Sequence, residues 1–339
     1  MPGSILVTGG LGFIGYNAAL RYSAQGRKVV IFDDVSRGTA KKNKLEFAKA
    51  QPRGVRFVEG DIRNARSLER LMENEKFDLI LHMAAQVAVT TSVEQPRRDF
   101  EINALGTFNV LEAMRRKAPK ALLVYASTNK VYGGTEWVKL GRKKTRWFFE
   151  HPEGGIDEEA PLDFHSPYGC SKGAGDQYAR DYGRIYGLKT VVFRQSCIYG
   201  PWQYGEADQG WVAWFLIAAL TKAPLTVYGD GRQVRDLLYV DDLLDLYDRA
   251  YERRARVAGE VFNVGGGNQR TLSLMELLEW LETRLGRKIP RAQRGWRPGD
   301  QKVYISDIAK ARRQLGWTPR VSVGAGLEKL FGWLSPRLS

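Results

Sequence analysis

Tyr168 and Lys172 stand four residues apart in HSPYGCSKGAGDQY, so a helix through this stretch puts both on one face. A free phenol has a pKa of about 10 and is a poor base at neutral pH. A neighbouring positive charge stabilises the phenolate, and Tyr168 can then take the proton of a substrate hydroxyl. A third group comes from YASTNKVYG, where an apolar run ends at Ser127 and Thr128. A hydroxyl there can hold the substrate hydroxyl against the tyrosine. Tyrosine and lysine at this spacing also occur in many helices by chance, so the pair needs a partner site.

VTGGLGFIG supplies one. Gly9, Gly12 and Gly15, with Phe13 and Ile14 between them, lie between an apolar run and a helical pattern. A chain that turns tightly there can bring its backbone against a pyrophosphate, with the amides of the next helix facing the charge. A plain strand-to-helix turn uses the same glycines. The next apolar run, VVIFDD, ends at Asp33, about 20 residues past the motif, where a carboxylate binds the adenosine ribose hydroxyls and repels a 2′-phosphate. That favours NAD over NADP, although nearby Arg37 can accept a 2′-phosphate. Asp61, followed by Ile62, ends the next run and is placed to bond adenine. Ala84 and Ala85 follow another and leave room for the cofactor. These last positions serve equally well as turn and packing residues. With a dinucleotide beside it, Tyr168 removes a proton while hydride leaves the same carbon, and Lys172 also holds the nicotinamide ribose.

The elements that must position these groups are legible. SILVTG, KVVIFDD, RFVEGD, LILHMAA, LLVYAST and TVVFRQS are near-continuous apolar runs separated by amphipathic stretches, the pattern of a parallel sheet covered on both faces. The last third changes character. Leu274, Leu277, Leu278, Leu281 and Leu285 recur at helical spacing, Ser273 and Glu276 form a capping-box pattern, and a short helix from Asp307 to Leu315 stops at Gly316. The expected fold is therefore α/β: a Rossmann-type parallel sheet with helices on both faces, plus a smaller, mostly helical C-terminal substrate domain.

With 339 residues, 43% of them hydrophobic, the chain can build a large core, which excludes a disordered or collagen-like chain. Two cysteines, Cys170 and Cys197, exclude a disulfide scaffold and point to reduced thiols in the cytoplasm. Trp211 to Leu220 is too short an apolar run to span a bilayer, and Met1 leads straight into a strand pattern with no signal peptide. Lys plus Arg is 52 and Asp plus Glu 38, a formal net charge of +14. Such a surface attracts anions, although most of these charges suit a solvated, salt-bridged exterior. The densest cluster is KLGRKKTR with flanking Trp137 and WFF, a stretch of residues 137–149 suited to a flap, a subunit contact or an exposed loop.

The glycine motif, YASTNKVYG, the Tyr168–Lys172 pair and GDGRQVRDLLYVDD together resemble the extended short-chain dehydrogenases/reductases that modify nucleotide sugars. STNKVYG, DFHSPYGCSKGAGDQY, DQGWVAWF and QVRD are similar in particular to the family's CDP-sugar 2-epimerase group. The resemblance implies bound NAD held by Gly9, Gly12, Phe13, Ile14, Gly15, Asp33, Asp61, Ile62, Ala84, Ala85 and Lys172, with no metal. It implies Tyr168, Lys172 and Thr128 as catalytic groups and Asn103 as a brace of the active-site strand. Substrate binding falls to Thr128, Asn129, Gln209, Gly210, Trp211, Arg235 and Arg297, the two arginines meeting the diphosphate. Residues 1–195 become the NAD-binding domain, with 233–265 returning to it, while 196–232 and 266–339 bind the nucleotide sugar. A homodimer through paired helices is implied, with a tetramer also open.

Departures narrow the reaction. Gln86 and Val87 stand where many 4-epimerases of the family carry a lysine, and Cys197 where many carry an asparagine. Cys197 suits packing better than nucleophilic chemistry. His165 can touch the sugar or simply satisfy a turn. The family's dehydratases follow the catalytic threonine with an Asp–Glu pair, but here stand Asn129 and Lys130, which cannot do paired carboxylate work. What remains is hydride removal and return, and the resemblance implies C2 of a CDP-linked hexose, with CDP-paratose and CDP-tyvelose as the pair. Another nucleotide-sugar 4-epimerase or oxidoreductase, and a nucleic-acid-binding member of the fold, stay open.

Overall fold

The protein is described by a computed structural model covering residues 3–151, 154–297 and 299–338. Five strands follow the apolar runs in order: β1 (Ser4–Thr8), β2 (Val29–Asp33), β3 (Val55–Glu59), β4 (Phe77–His82) and β5 (Leu122–Thr128). β1 pairs in parallel with both β2 and β4, and β3 and β5 extend the sheet on either side. Strands Lys189–Gln195 and Glu260–Val264 complete the seven, beyond β5. Chain order reverses between β1 and β4, so the loops after these two strands border the crevice where open α/β sheets bind ligands.

The strands are continuous apolar runs because both faces are covered. β1, β2 and β5 are almost entirely buried, and Leu6, Val30, Ile80 and Leu123 share one cluster with Val110, Met114 and Ala179 from the helices. One charged pair lies inside this unit. Asp176 and Arg194 are 0% and 2% exposed, with Arg194 Nε donating to Asp176 Oδ2 at 3.0 Å and Nη2 to Oδ1 at 3.1 Å. Ser127 Oγ donates to the same carboxylate at 2.7 Å, which ties the end of β5 to helix Ser166–Tyr186.

The described chain divides into two compact units. The first comprises Met1–Thr128, Ser166–Arg194 and Leu244–Phe262, and the second Asn129–His165, Gln195–Leu243 and Asn263–Ser339. Residues 129–165 and 233–243 therefore group with the second unit, where the sequence had assigned them to the first. Packing explains this: Val131, Tyr132, Phe149 and Ile156 share a core with Val234, Val303, Tyr304 and Ile305.

The second unit carries helices Trp211–Thr221, Leu274–Leu285, Ala309–Leu315 and Val323–Leu338. Helix Leu274–Leu285 starts with the expected capping box, and the short helix ends at Gly316 in the left-handed region. Small sheets accompany the helices. In one, Val234–Tyr239 pairs antiparallel to Thr271–Ser273 and parallel to Cys197–Tyr199.

The basic segment is an antiparallel hairpin, Leu140–Arg142 with Trp147–Phe149. Arg146 pairs with Glu276, Trp147 Nε1 donates to Asp230 at 2.9 Å, and Arg142 and Lys143 lie over the rings of Trp147 and Phe148. Its own unit thus holds it by specific contacts. Among the described residues no helix is long and apolar enough to cross a membrane.

The Asp176–Arg194 pair generates a stability prediction. Arg194→Met leaves a buried carboxylate without its cation and is expected to cost about 3–5 kcal/mol of unfolding free energy in urea titrations. A loss below about 1 kcal/mol is the behaviour of a surface bridge and would contradict this role.

Candidate functional site

The glycine loop follows β1 directly. Gly9 has φ 68°, and a Cβ there would sit 2.5 Å from the Ala84 nitrogen, so the end of β1 packs on the backbone leaving β4. Gly15 admits no Cβ either, because it would lie 2.3 Å from the Gly9 carbonyl. Gly12 is different: a Cβ there meets only the Gly9 carbonyl, at 3.1 Å, so this face of the loop is open to an approaching group. Gly12 also caps helix α1 (Phe13–Ala24), which has no side-chain cap and no acid in its first turn. Its first amides are therefore suited to an anion.

Asp33, 7% exposed, ends β2 under this loop. Its Oδ2 accepts from the Leu11 amide at 3.0 Å and its Oδ1 from Val35 at 2.8 Å. Burial raises its pKa, and the two amides and the charge of Arg37 oppose that rise. Each oxygen keeps acceptor capacity for a ribose hydroxyl. Asn43 Nδ2 donates to the Leu11 carbonyl at 2.9 Å and fixes the loop from outside. Asp61 is held by Arg63, whose backbone amide and guanidinium both donate to it; burial raises its pKa, but Arg63 brings it below the usual range. Ile62 is buried in the core, where its side chain closes on Gly106. The open face at Gly12, the amides of α1 and the ribose-ready carboxylate fit a dinucleotide.

Tyr168, Lys172 and Thr128 come together in the first unit. Thr128 is hydrogen-bonded to the Tyr168 phenol, and all three side chains are at least nine-tenths buried. Burial pushes the Tyr168 phenol up to about 12, and Asp99 adds to this, while Thr128 and Arg37 oppose it. The protein alone thus keeps Tyr168 protonated. Burial pushes the Lys172 ammonium down to about 7, and Asp176 and Asp99 pull it back. Lys172 Nζ lies 4.4 Å from the centroid of the Tyr125 ring, whose hydroxyl donates to the Lys172 carbonyl at 3.1 Å.

A network wider than the Asn103 brace expected from the sequence stands behind Lys172. Asp99, 1% exposed, accepts from Ser171 Oγ at 2.5 Å, Gln86 Nε2 at 2.8 Å and Asn103 Nδ2 at 3.0 Å. Asn103 also exchanges hydrogen bonds with the Gln86 backbone, tying the exit of β4 to the helix of Tyr168 and Lys172. It lies in a π-turn, Glu101–Leu105, an insertion that often marks functional sites. Gln86, noted in the sequence only as a departure, is part of this brace. The only sequence hint of Asp99 is its position one helical turn before Asn103.

The residues expected at a diphosphate all belong to the second unit. Arg235 and Cys197 lie on paired strands, and Trp211 hydrogen-bonds the Cys197 thiol. Arg235 Nη1 donates to the Val234 carbonyl at 2.8 Å, and among the described residues Arg235 forms no ion pair. Arg297 stacks over Tyr228 at 3.8 Å, pairs with Asp208 at 3.0 Å and donates to the Ala207 carbonyl at 3.2 Å. Those contacts put it beside the turn where Gln209 precedes Gly210, the left-handed cap of helix Trp211–Thr221, which has no side-chain cap. Asn129 Nδ2 donates to Gln301, and Lys130 Nζ to the Gly299 carbonyl. His165 pairs with Asp163 at 3.0 Å. Burial pushes the Cys197 thiol up to about 12, which removes nucleophilic character at neutral pH.

The family model described as GDP-mannose 4,6 dehydratase matches residues 6–330. CDP-paratose 2-epimerase of Salmonella typhi is 43% identical over 98% of this chain and 99% of its own. Among solved structures, UDP-glucose 4-epimerase of Thermotoga maritima with UDP-glucose has a TM-score of 0.84 at 30% identity, covering 99% of this chain and 100% of that one. UDP-glucose 4-epimerase of Thermus thermophilus in complex with NAD gives 0.81 at 31% identity, covering 97% and 98%.

Alkylation separates the two thiols. Exposed Cys170 is expected to take up iodoacetamide at pH 8 while Cys197 stays unlabelled until the protein is unfolded, as read by mass spectrometry. Rapid labelling of native Cys197 would contradict its protonated, half-buried state.

Proposed function

The chain belongs to the GDP-mannose 4,6 dehydratase family of short-chain dehydrogenases/reductases, and on that premise we propose that it is an NAD-dependent nucleotide-sugar epimerase acting at C2 of a CDP-linked hexose. The observation that carries the substrate is the 43% identity, over nearly the whole of both chains, to CDP-paratose 2-epimerase. CDP-paratose and CDP-tyvelose are then the interconverted pair.

Gly9, Gly12, Phe13, Ile14, Gly15, Asp33, Asp61, Ile62, Ala84, Ala85 and Lys172 would hold NAD, which when bound would supply the acceptor and donor of the hydride. The chain's own residues manage the proton and the geometry. Thr128 holds the C2 hydroxyl, and Tyr168 takes its proton as the carbon becomes a ketone and returns it afterwards. Lys172, one helical turn from Tyr168, supplies the positive charge, with Asp99 and Asp176 opposing its loss by burial. Arg235 and Arg297 neutralise the diphosphate, with Trp211 and the amides after Gly210 beside them. The diphosphate anchors the sugar while C2 turns over, and Arg297 leaves Asp208 for the phosphate.

The residues after Thr128 oppose a dehydratase. Asn129 gives its amide to Gln301 and Lys130 its ammonium to Gly299, so neither offers a carboxylate for elimination. A ketone at C3 is equally unsuited, since a 3,6-dideoxy sugar carries no hydroxyl there. Two copies pair through helix Ser166–Tyr186, whose Tyr178, Ile185 and Tyr186 are 47%, 67% and 50% exposed.

Two experiments test this function. Incubation with CDP-paratose, CDP-glucose and UDP-glucose, followed by NMR, is expected to give the C2 epimer of the first; a product inverted only at C4 of another would contradict the substrate. Tyr168→Phe is expected to bind NAD and CDP as before and to lose at least about 100-fold in kcat. Turnover near the native value would remove Tyr168 from the chemistry.

A further inference from the structure

We propose that Lys130 is a positioning residue of the substrate diphosphate site, holding the turn that carries Arg297 and adding a positive charge beside Arg235. The proposal rests on the two arginines being diphosphate groups.

The geometry is a double latch. In the short helical turn Asn129–Tyr132, two neighbouring side chains reach the same distant stretch. Lys130 Nζ donates to the Gly299 carbonyl at 2.9 Å, and Asn129 Nδ2 donates to Gln301 Oε1 at 3.2 Å. Gln301, 1% exposed, returns its amide to the Gly133 carbonyl. Between the two latch points, the Asp300 amide donates back to the Arg297 carbonyl at 3.2 Å and closes the turn on the arginine. The Arg297 guanidinium, stacked on Tyr228, thereby lies against the Ala207 carbonyl and the Asp208 carboxylate just ahead of the Gly210 cap.

Charge points the same way. Burial and the positive charge of Arg235 push the Lys130 ammonium down to about 8, while Asp300 opposes them. Two half-buried cations thus share one field, with the carboxylates of Asp300 and Asp236 acting on Arg235, and Arg235 has no ion pair among the described residues. Such an arrangement favours an added anionic group. A lysine that merely decorated the surface would not share its field with Arg235 or tie down the chain that carries Arg297.

The test is a double-mutant cycle on CDP affinity, measured by calorimetry with the NAD-loaded enzyme. Lys130→Met is expected to weaken CDP about tenfold, the size of one charge-assisted contact, and to raise KM with kcat little changed. The variant carrying both Lys130→Met and Arg297→Met is expected to lose less than the sum of the two single losses, because part of the effect of Lys130 runs through Arg297. Lys130→Arg should restore most of the affinity. Native CDP affinity in Lys130→Met, beside weakened binding in Arg297→Met, would overturn the proposal and leave the arginine assignment intact. So would a lower melting temperature with CDP affinity unchanged, the mark of a purely structural staple. If neither Arg235→Met nor Arg297→Met weakens CDP, the diphosphate assignment itself fails, and the role of Lys130 with it.

Discussion

Keeping an ammonium ion inside the protein is the constraint on which the first unit depends. Lys172 is 4% exposed, and water would solvate its charge far better than the surrounding side chains do. Burial brings it down to about 7 even with carboxylates near. What holds it there is the face of the Tyr125 ring and the fields of Asp176 and Asp99. Each carboxylate is itself anchored, Asp176 by Ser127 and Arg194, Asp99 by Ser171, Gln86 and Asn103. The end of β5, the exit of β4, the π-turn and helix Ser166–Tyr186 therefore meet around one charge. The positions of Thr128 and Tyr168 follow from that convergence.

The same logic explains His82. Its ring sits between Thr8 and Thr107, with Nδ1 at 2.7 Å from one hydroxyl and Nε2 at 3.0 Å from the other. Burial, assisted by the charge of Lys172, pushes it down to about 3, so it is a neutral spacer between β1, β4 and helix Gly106–Lys117. A histidine so depressed binds its proton only in the unfolded chain across the mildly acid range. It contributes instability as pH falls from about 6.5 toward 3 and none at neutral pH.

Much of this was legible along the chain because it is local. Strand β1, the glycine turn and the start of α1 are written in one short stretch, Tyr168 and Lys172 in one helical turn, and the capping box of Ser273 and Glu276 in another. The groups that support them are not local. Asp99 reaches Ser171, Lys130 reaches Gly299 and Arg297 reaches Asp208, and no spacing rule links such residues. The hairpin of residues 140–149 was hidden for the same reason: its cations read as a charge run, whereas its order comes from Glu276, Thr271 and Asp230 in distant parts of the chain. Burial also reversed one expectation. A lysine four residues from a tyrosine suggests a depressed phenol, yet desolvation carries Tyr168 to about 12 in the protein alone.

The proposed reaction inverts C2 by direct oxidation, with Tyr168 handling only the proton on oxygen. Asn129 and Lys130 stand where a second acid or base would be, and both are committed to the 299–301 stretch. Neither is a carboxylate that could carry a carbon-bound proton, so the proposed route keeps the C2 hydrogen from solvent. The most direct measurement is reaction of CDP-paratose in D₂O with NMR of the epimer. Little or no deuterium at C2 is the predicted result; near-complete deuterium at C2 would contradict the account.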